Sequence, residues 1–179
     1  MMVAALVSGD LLNMSKIKYP SIVFVLISIL LIVIDQLSKA FIVKSYSIGH
    51  GIAIINNFLS LYHVHNTGSA FSFLADKEWG IYVLTAISSV LALGVFYLMI
   101  KVSSRRDFLT SGALMLLFSG AVGNLIDRYR LHYVVDFIRF DFGSYTFPIF
   151  NIADICAVLG TIIIIAILLF LPKRVENLW

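Results

Sequence analysis

The stretch FNIADICAVLGTIIIIAILLFL, residues 150–171, opens on an asparagine and an aspartate and then runs to Leu171 without another ionisable group other than the thiol of Cys156. Pro172 follows and cannot continue a helix. About 20 apolar residues are what a helix needs to cross a hydrocarbon core of ~30 Å. Three further runs have that length: residues 21–43, 79–100 and 108–126. Four transmembrane helices are therefore expected.

Composition agrees. Of the 179 residues, 60% are hydrophobic and only 13% charged, and the mean hydropathy is +0.98. A soluble domain is nearer half apolar and a quarter charged. The net charge of +3 does not point to nucleic acid, because the basic residues are scattered at span ends and set topology. Cys156 is the only cysteine, which excludes an intrachain disulfide and a cysteine metal cluster.

One membrane domain is expected over residues 14–174, with residues 1–13 as an N-terminal tail and 175–179 as a C-terminal tail. The run after Lys16 and Lys18 is too long for a signal peptide's apolar core, and 35–39 does not read as a small-residue cleavage site. Lys16 and Lys18, then Lys101, Arg105 and Arg106, then Lys173 and Arg174 fall on one side of a four-span chain. The positive-inside rule makes that side cytoplasmic. Loops 44–78 and 127–149 then face outward. Within them, Phe58 to His65 has strand character, and Tyr133 to Asp141, Gly143-Ser144 and Tyr145 to Pro148 read as a hairpin. The fold class is thus all-α, with four spans and a small extracytoplasmic β-sheet, or cradle, on the outer surface. Ala75 to Trp79 is a short, charged connection.

Polar residues converge at the outer end. Asp35 lies ~21 Å along the first span at 1.5 Å per residue, with Lys39 one turn beyond. Asn124, Asp127 and Arg128 close the third span, Asn151 and Asp154 open the fourth, and Asp136 lies in the loop between. A carboxylate at membrane depth costs several kcal/mol unless paired, and such residues usually serve function. Asp35 and Lys39 are spaced i, i+4, which fits a structural ion pair as well as substrate contact. Asp127 beside Arg128 reads best as a cap and interfacial anchor. Asn124 and Asn151 fit interhelical hydrogen bonding, and Gly120 and Gly123 fit close helix approach. Asp136, in an apolar Val-Val-Asp-Phe-Ile context, and Asp154 resist such explanations.

Two carboxyls close together in a low-dielectric site share a proton near neutrality, giving one base and one acid for water-mediated hydrolysis. No metal or cofactor is required. Ser69 and Ser72 lack an arguable base and orienter, and a Cys156 thiolate in a span is costly. His63 and His65 would share a strand face but lack a local third ligand. A proton-coupled transporter and a non-catalytic lipid-binding scaffold remain as rival readings. The first would need charge along a path to the inner side.

Gly120-Ala-Val-Gly-Asn124-Leu-Ile-Asp127-Arg128, Val134-Val-Asp136-Phe-Ile138 and Phe150-Asn151-Ile-Ala-Asp154 together resemble the lipoprotein signal peptidase (signal peptidase II) family. Asp35-Gln-Leu-Ser-Lys39 and Asn66-Thr-Gly68-Ser-Ala-Phe71-Ser resemble its two earlier motifs, in the same order. The resemblance spans about residues 17–172. It implies a bacterial inner-membrane aspartyl peptidase that cleaves diacylated prolipoproteins just before the lipid-modified cysteine; a monomer is the default expectation, and the basic segments above put both termini on the cytoplasmic side. Membrane lipids and the inhibitor globomycin are the other implied partners. It implies Asp136 and Asp154 as the catalytic pair. Asn66, Gly68, Asn124, Arg128 and Asn151 match residues lining the site, and Asp35 and Lys39 match a polar pair of the first span. Many members carry a glycine before Val-Val-Asp; this chain has Leu131-His132-Tyr133 there, with the spacing from Arg128 to Asp136 kept.

Overall fold

The structure, a computed structural model, describes residues 19–68, 79–172 and 174. The expected N-terminal tail, Ser69, Ser72, most of the 75–79 connection and residues 175–179 lie outside the described residues. Four long helices carry the fold: α1 (Tyr19–Ser45), α2 (Gly80–Ser104), α3 (Phe108–Leu131) and α4 (Ile152–Phe170). All four are long and apolar enough to cross a membrane, and the chain is a multi-pass membrane protein.

The helices are not equivalent. α3 packs against each of the other three, whereas α1 touches α4 only lightly. Accordingly 44% of its apolar window is buried, against 17–22% for the others, and its mean hydropathy is the lowest of the four, 1.6. Side chains such as Leu37, Val90, Leu93 and Leu169 instead point outward, as lipid-facing residues must when the solvent is hydrocarbon. Close approach of α3 to α4 depends on glycine. A Cβ on Gly160 would lie 2.7 Å from Ala113 O, and one on Gly120 would lie 2.8 Å from Ala157 N. Real Cβ contacts are not that short, so small residues here set the interhelical distance.

α3 continues to Leu131, five residues past the expected end of its span. Its last turn is amphipathic and leaves the apolar window while remaining helical. It stops at His132, whose φ of 61° is left-handed and whose N–H caps Arg128 O at 3.2 Å. A glycine usually takes this position because it has no Cβ to strain, which gives the departure at 131–133 a physical meaning.

At the end of the bundle where α3 finishes and α4 begins stands an antiparallel sheet in the order β1 (Gly51–Ile55), β2 (Leu59–Asn66), β3 (Val134–Phe142), β4 (Tyr145–Thr146). β2 and the β3–β4 hairpin match the sequence reading within a residue or two, except that β4 ends at Thr146. β1 was not anticipated. Its Gly-Ile-Ala-Ile-Ile is exposed throughout and shows no alternation that marks a half-buried strand. In the β2–β3 pairing, Leu61 faces Ile138 and Val64 faces Asp136, so one extra residue is accommodated between. His63 lies in this irregularity: it exchanges backbone bonds with Gly49 and His50, and its Nδ1 lies 2.8 Å from Tyr46 O. A bulge of this kind re-aims the strand beyond it. Ile42 of α1 with Val135 and Phe137 of β3 forms the buried cluster that fixes the sheet to the bundle.

Candidate active site

Two tethers bring the polar residues together. Phe150 pairs with β3, its carbonyl accepting from Phe137 N (3.0 Å) and Ile138 N (2.7 Å) and its N–H donating to Ile138 O (3.1 Å). The residue after it, Asn151, is the N-cap of α4. The start of α4 is therefore held one residue away from the strand that carries Asp136. The second tether is Asp127, near the end of α3, whose Oδ2 accepts Val135 N at 3.1 Å.

Asn151 and Asp154 form a capping box. Asn151 Oδ1 accepts Asp154 N at 2.9 Å, and Asp154 Oδ2 accepts Asn151 N at 3.1 Å. This satisfies orphan helix donors reciprocally. Asn151, fully buried, also uses its side-chain amide: Nδ2 donates to Asp136 Oδ1 at 2.7 Å and to Asn124 Oδ1 at 3.0 Å. A single asparagine thus bridges Asp136 and Asp154.

The other oxygens are also held. Asn66 Nδ2 donates to Asp136 Oδ2 at 2.8 Å, and Asn66 Oδ1 in turn accepts Gly68 N at 3.0 Å. Asn124 Nδ2 donates to Asp154 Oδ1 at 2.8 Å. Its Oδ1 accepts from Lys39 Nζ at 2.9 Å. That ammonium forms ion pairs with Asp35 (2.9 Å) and Asp127 (3.0 Å). Asp35 Oδ1 accepts Ala153 N at 2.9 Å, linking α1 to the first turn of α4. A Cβ on Gly123 would lie 2.8 Å from Asp35 Oδ2, so glycine is required where α3 passes this carboxylate.

Every site residue singled out from the sequence lies in or beside this one network. Asp35 and Lys39 are a buried ion pair, the structural alternative of the two weighed above. Asp127 corrects the sequence reading: it is 2% exposed and serves as an internal ligand of Lys39 and β3, not as an interfacial anchor. Adjacency to Arg128 suggested the anchor, but on a helix neighbours in sequence point ~100° apart. Gln36 was missed. Its Nε2 lies 3.0 Å from Asp127 Oδ1, 3.0 Å from Gly123 O and 3.2 Å from Asp35 Oδ2. A second polar residue at membrane depth beside Asp35 was the available signal. His63 and His65 stack edge to face, and His65 lies flat on Tyr133 at 3.6 Å. Among the described residues no group of three His, Cys, Asp or Glu is placed to hold a metal ion.

The electrostatics follow. Four carboxylates meet two cations, Lys39 and Arg128. Among the described residues, Arg128 has its Nε buried without a hydrogen-bond partner, within the field of Asp154, Asp136 and Asp127. Burial, and next the charge of Asp154, push the Asp136 carboxyl up to about 7; the bonds from Asn66 and Asn151 and the charge of Lys39 oppose this only in part. Near neutral pH Asp136 thus moves readily between acid and base, beside a second carboxylate.

The model of the signal peptidase (SPase) II family matches residues 27–170. The chain is 44% identical over 156 residues to the lipoprotein signal peptidase of Enterococcus faecalis, covering 87% of this chain and 93% of that one. It is 41% identical over 142 residues to that of Clostridium tetani, covering 79% and 88%. A solved bacterial membrane enzyme superposes with a TM-score of 0.74 at 34% identity, over 87% of this chain and 90% of the other. With its four spans, small sheet and buried polar network, the chain belongs to the signal peptidase II family and is a peptidase of lipoprotein processing.

Proposed function

We propose that Asp136 and Asp154 are the catalytic pair of an aspartic endopeptidase that removes the signal peptide from diacylated prolipoproteins immediately before the lipidated cysteine. The observation that carries this reading is the Asn151 bridge, which holds one carboxyl by its side chain and the other by its main chain.

In this mechanism one member of the pair is ionised and the other protonated. The ionised member takes a proton from a bound water as the water oxygen forms a bond to the scissile carbonyl carbon. The protonated member gives its proton to the carbonyl oxygen, which becomes a hydroxyl of the tetrahedral intermediate. Collapse re-forms the carbonyl, breaks the C–N bond, and passes a proton to the leaving amine. Asn66, Asn124 and Asn151 orient the carboxyls. Arg128, whose Nε has no partner among the described residues, is the cation suited to hydrogen-bond the substrate backbone.

The site's level suits the substrate. A diacylated prolipoprotein is itself anchored in the bilayer, so its scissile bond arrives at the membrane surface. The basic residues Lys101, Arg105 and Arg106 stand in or beside the α2–α3 turn, at the opposite end from the sheet. By the positive-inside rule this supports a site on the outer face of a bacterial inner membrane, with both termini cytoplasmic. Among the described residues the buried charged side chains, Asp35, Lys39, Asp127 and Asp136, gather at the sheet end and form no path across the bilayer, which disfavours a proton relay.

The test is cleavage of a purified diacylated prolipoprotein by the wild type, Asp136→Asn and Asp154→Asn. Each variant should insert and melt as a folded protein yet lose at least ~10³-fold in kcat, as expected when one of two acid–base groups is removed. Turnover near wild type in either variant rejects the pair.

A further inference from the structure

β2 presents Asn66 to Asp136 only because of its bulge. Leu61 faces Ile138, but the next partners are Val64 with Asp136 and Asn66 with Val134, so Tyr62 and His63 together stand opposite Phe137. Residues paired across antiparallel strands share a face, and a slip of one residue reverses it. A ladder continued regularly from Leu61 would set His63 opposite Asp136 and turn Asn66 to the other face. With the bulge, Asn66 lies on the face of Asp136 and donates Nδ2 to its Oδ2 at 2.8 Å. His65, paired with Val135, goes to the opposite face. There its ring meets that of His63 at 4.9 Å and lies flat on Tyr133 at 3.6 Å.

The side chain of His63 is tied to the bundle from within this bulge. It is 3% exposed, and its Nδ1 lies 2.8 Å from Tyr46 O. A carbonyl oxygen only accepts, so Nδ1 is the donor and carries a proton. Tyr46 follows directly on α1. Its N–H donates to Ile42 O at 3.0 Å, and its side chain packs against the cluster of Ile42, Val135 and Phe137. The carbonyl that receives His63 is thus anchored. Nε2 is buried without a partner among the described residues. An unpaired buried ring nitrogen is costly, and an apolar side chain of similar size would fill the space without that cost. The hydrogen bond from Nδ1 is what distinguishes histidine here. We propose that His63 is a positioning residue for cleavage: its bond to Tyr46 fixes the β2 bulge, and the bulge brings Asn66 to Asp136. This rests on the reading of Asp136 as a catalytic carboxyl given above.

The main chain of His63 is also held, donating to His50 O and accepting from Gly49 N, both at 2.9 Å. Variants that keep these two bonds and change the ring separate the two contributions. The experiment is steady-state cleavage of diacylated prolipoprotein by His63→Phe and His63→Asn, with enzyme normalised to the folded fraction. Phenylalanine keeps a ring of similar size but has no donor, whereas asparagine places an amide N–H where Nδ1 stands. His63→Phe should lower kcat by about 10-fold or more with KM within about twofold of wild type, the pattern of lost orientation of a reacting group. His63→Asn should keep kcat within about threefold of wild type. Asn66→Ala and the double variant His63→Phe with Asn66→Ala complete a cycle. The double variant should be no slower than Asn66→Ala alone, because the ring acts through Asn66. A purely structural role would lower the melting temperature and leave kcat of the folded enzyme in place.

Wild-type kcat in His63→Phe, or additive losses in the cycle, overturns the proposal. If His63→Phe does not fold, His63→Asn and ring-nitrogen NMR of the wild type carry the test. A proton on Nδ1 together with retained kcat in His63→Asn is the result expected; a bare Nδ1, or a kcat in His63→Asn down by about 10-fold or more, overturns it. Asp136→Asn, run beside them, separates the readings: if it cleaves, the catalytic pair itself is wrong; if it is inactive while His63→Phe is normal, only the positioning role falls.

Discussion

Asn151 Nδ2 lies 2.7 Å from Asp136 Oδ1, a contact between a helix N-cap and a strand residue 15 positions earlier. It makes a capping residue part of the site. Replacing Asn151 by alanine removes the cap, at a cost of ~1 kcal/mol, and leaves a buried carboxyl oxygen short of its donor. Asn151→Ala should therefore lower the melting temperature and reduce kcat by ~10²-fold. Asn151→Ser separates the two effects. Serine caps a helix well but is too short to reach Asp136, so the cap's share of stability should return and kcat should not. Thermal melting and cleavage rates of both variants decide this, and parallel recovery of the two would refute it.

The Asp136 carboxyl, pushed up to about 7 from its ordinary 3.8 chiefly by burial, also makes a stability prediction. In the folded state it stays protonated over a pH range in which the unfolded chain has released the proton. Between about pH 4 and 7 the folded state binds more protons, so stability falls as pH rises through that window. Asp136→Asn removes this penalty. Its melting temperature in detergent should exceed the wild type's at pH 8, and the gap should close toward pH 4. A gap independent of pH would show that Asp136 is not held in this way.

His132 gives a third prediction. Its backbone is left-handed, with φ 61°, at the end of α3. An L-residue with a Cβ is strained there by ~1 kcal/mol relative to glycine. His132→Gly should raise stability by a few tenths to ~1 kcal/mol and leave cleavage unchanged, because among the described residues its ring meets the exposed Tyr82 ring, 5.9 Å away, outside the polar network. A lower melting temperature would mean that this ring contact outweighs the backbone strain.

The spans were readable because hydrocarbon solvent imposes a length and an apolar composition that few other structures satisfy. Asp136 and Asp154 stood out for the converse reason: an acid in an apolar setting needs partners, and Asn66, Asn124 and Asn151 supply them. β1 was not legible, since an exposed edge strand without alternation looks like any apolar loop. Nor was the role of Asp127, because its partners Lys39 and Val135 come from α1 and β3, and pairing across such distances appears only once the helices pack. Gln36 falls between the two cases. Its polarity was visible, but its three contacts depend on where Gly123 brings the α3 backbone.

α3 carries a consequence for biogenesis. It is the span most buried by protein and the least apolar of the four, and it reaches every other helix. Alone in lipid it would expose Asn124, Asp127 and Arg128 before their partners arrive. Its residence in lipid is therefore costly until α1 brings Gln36 and Lys39 to Asp127 and α4 brings Asn151 to Asn124. Chain order and assembly order coincide, so the nascent protein never has to shelter this helix for long.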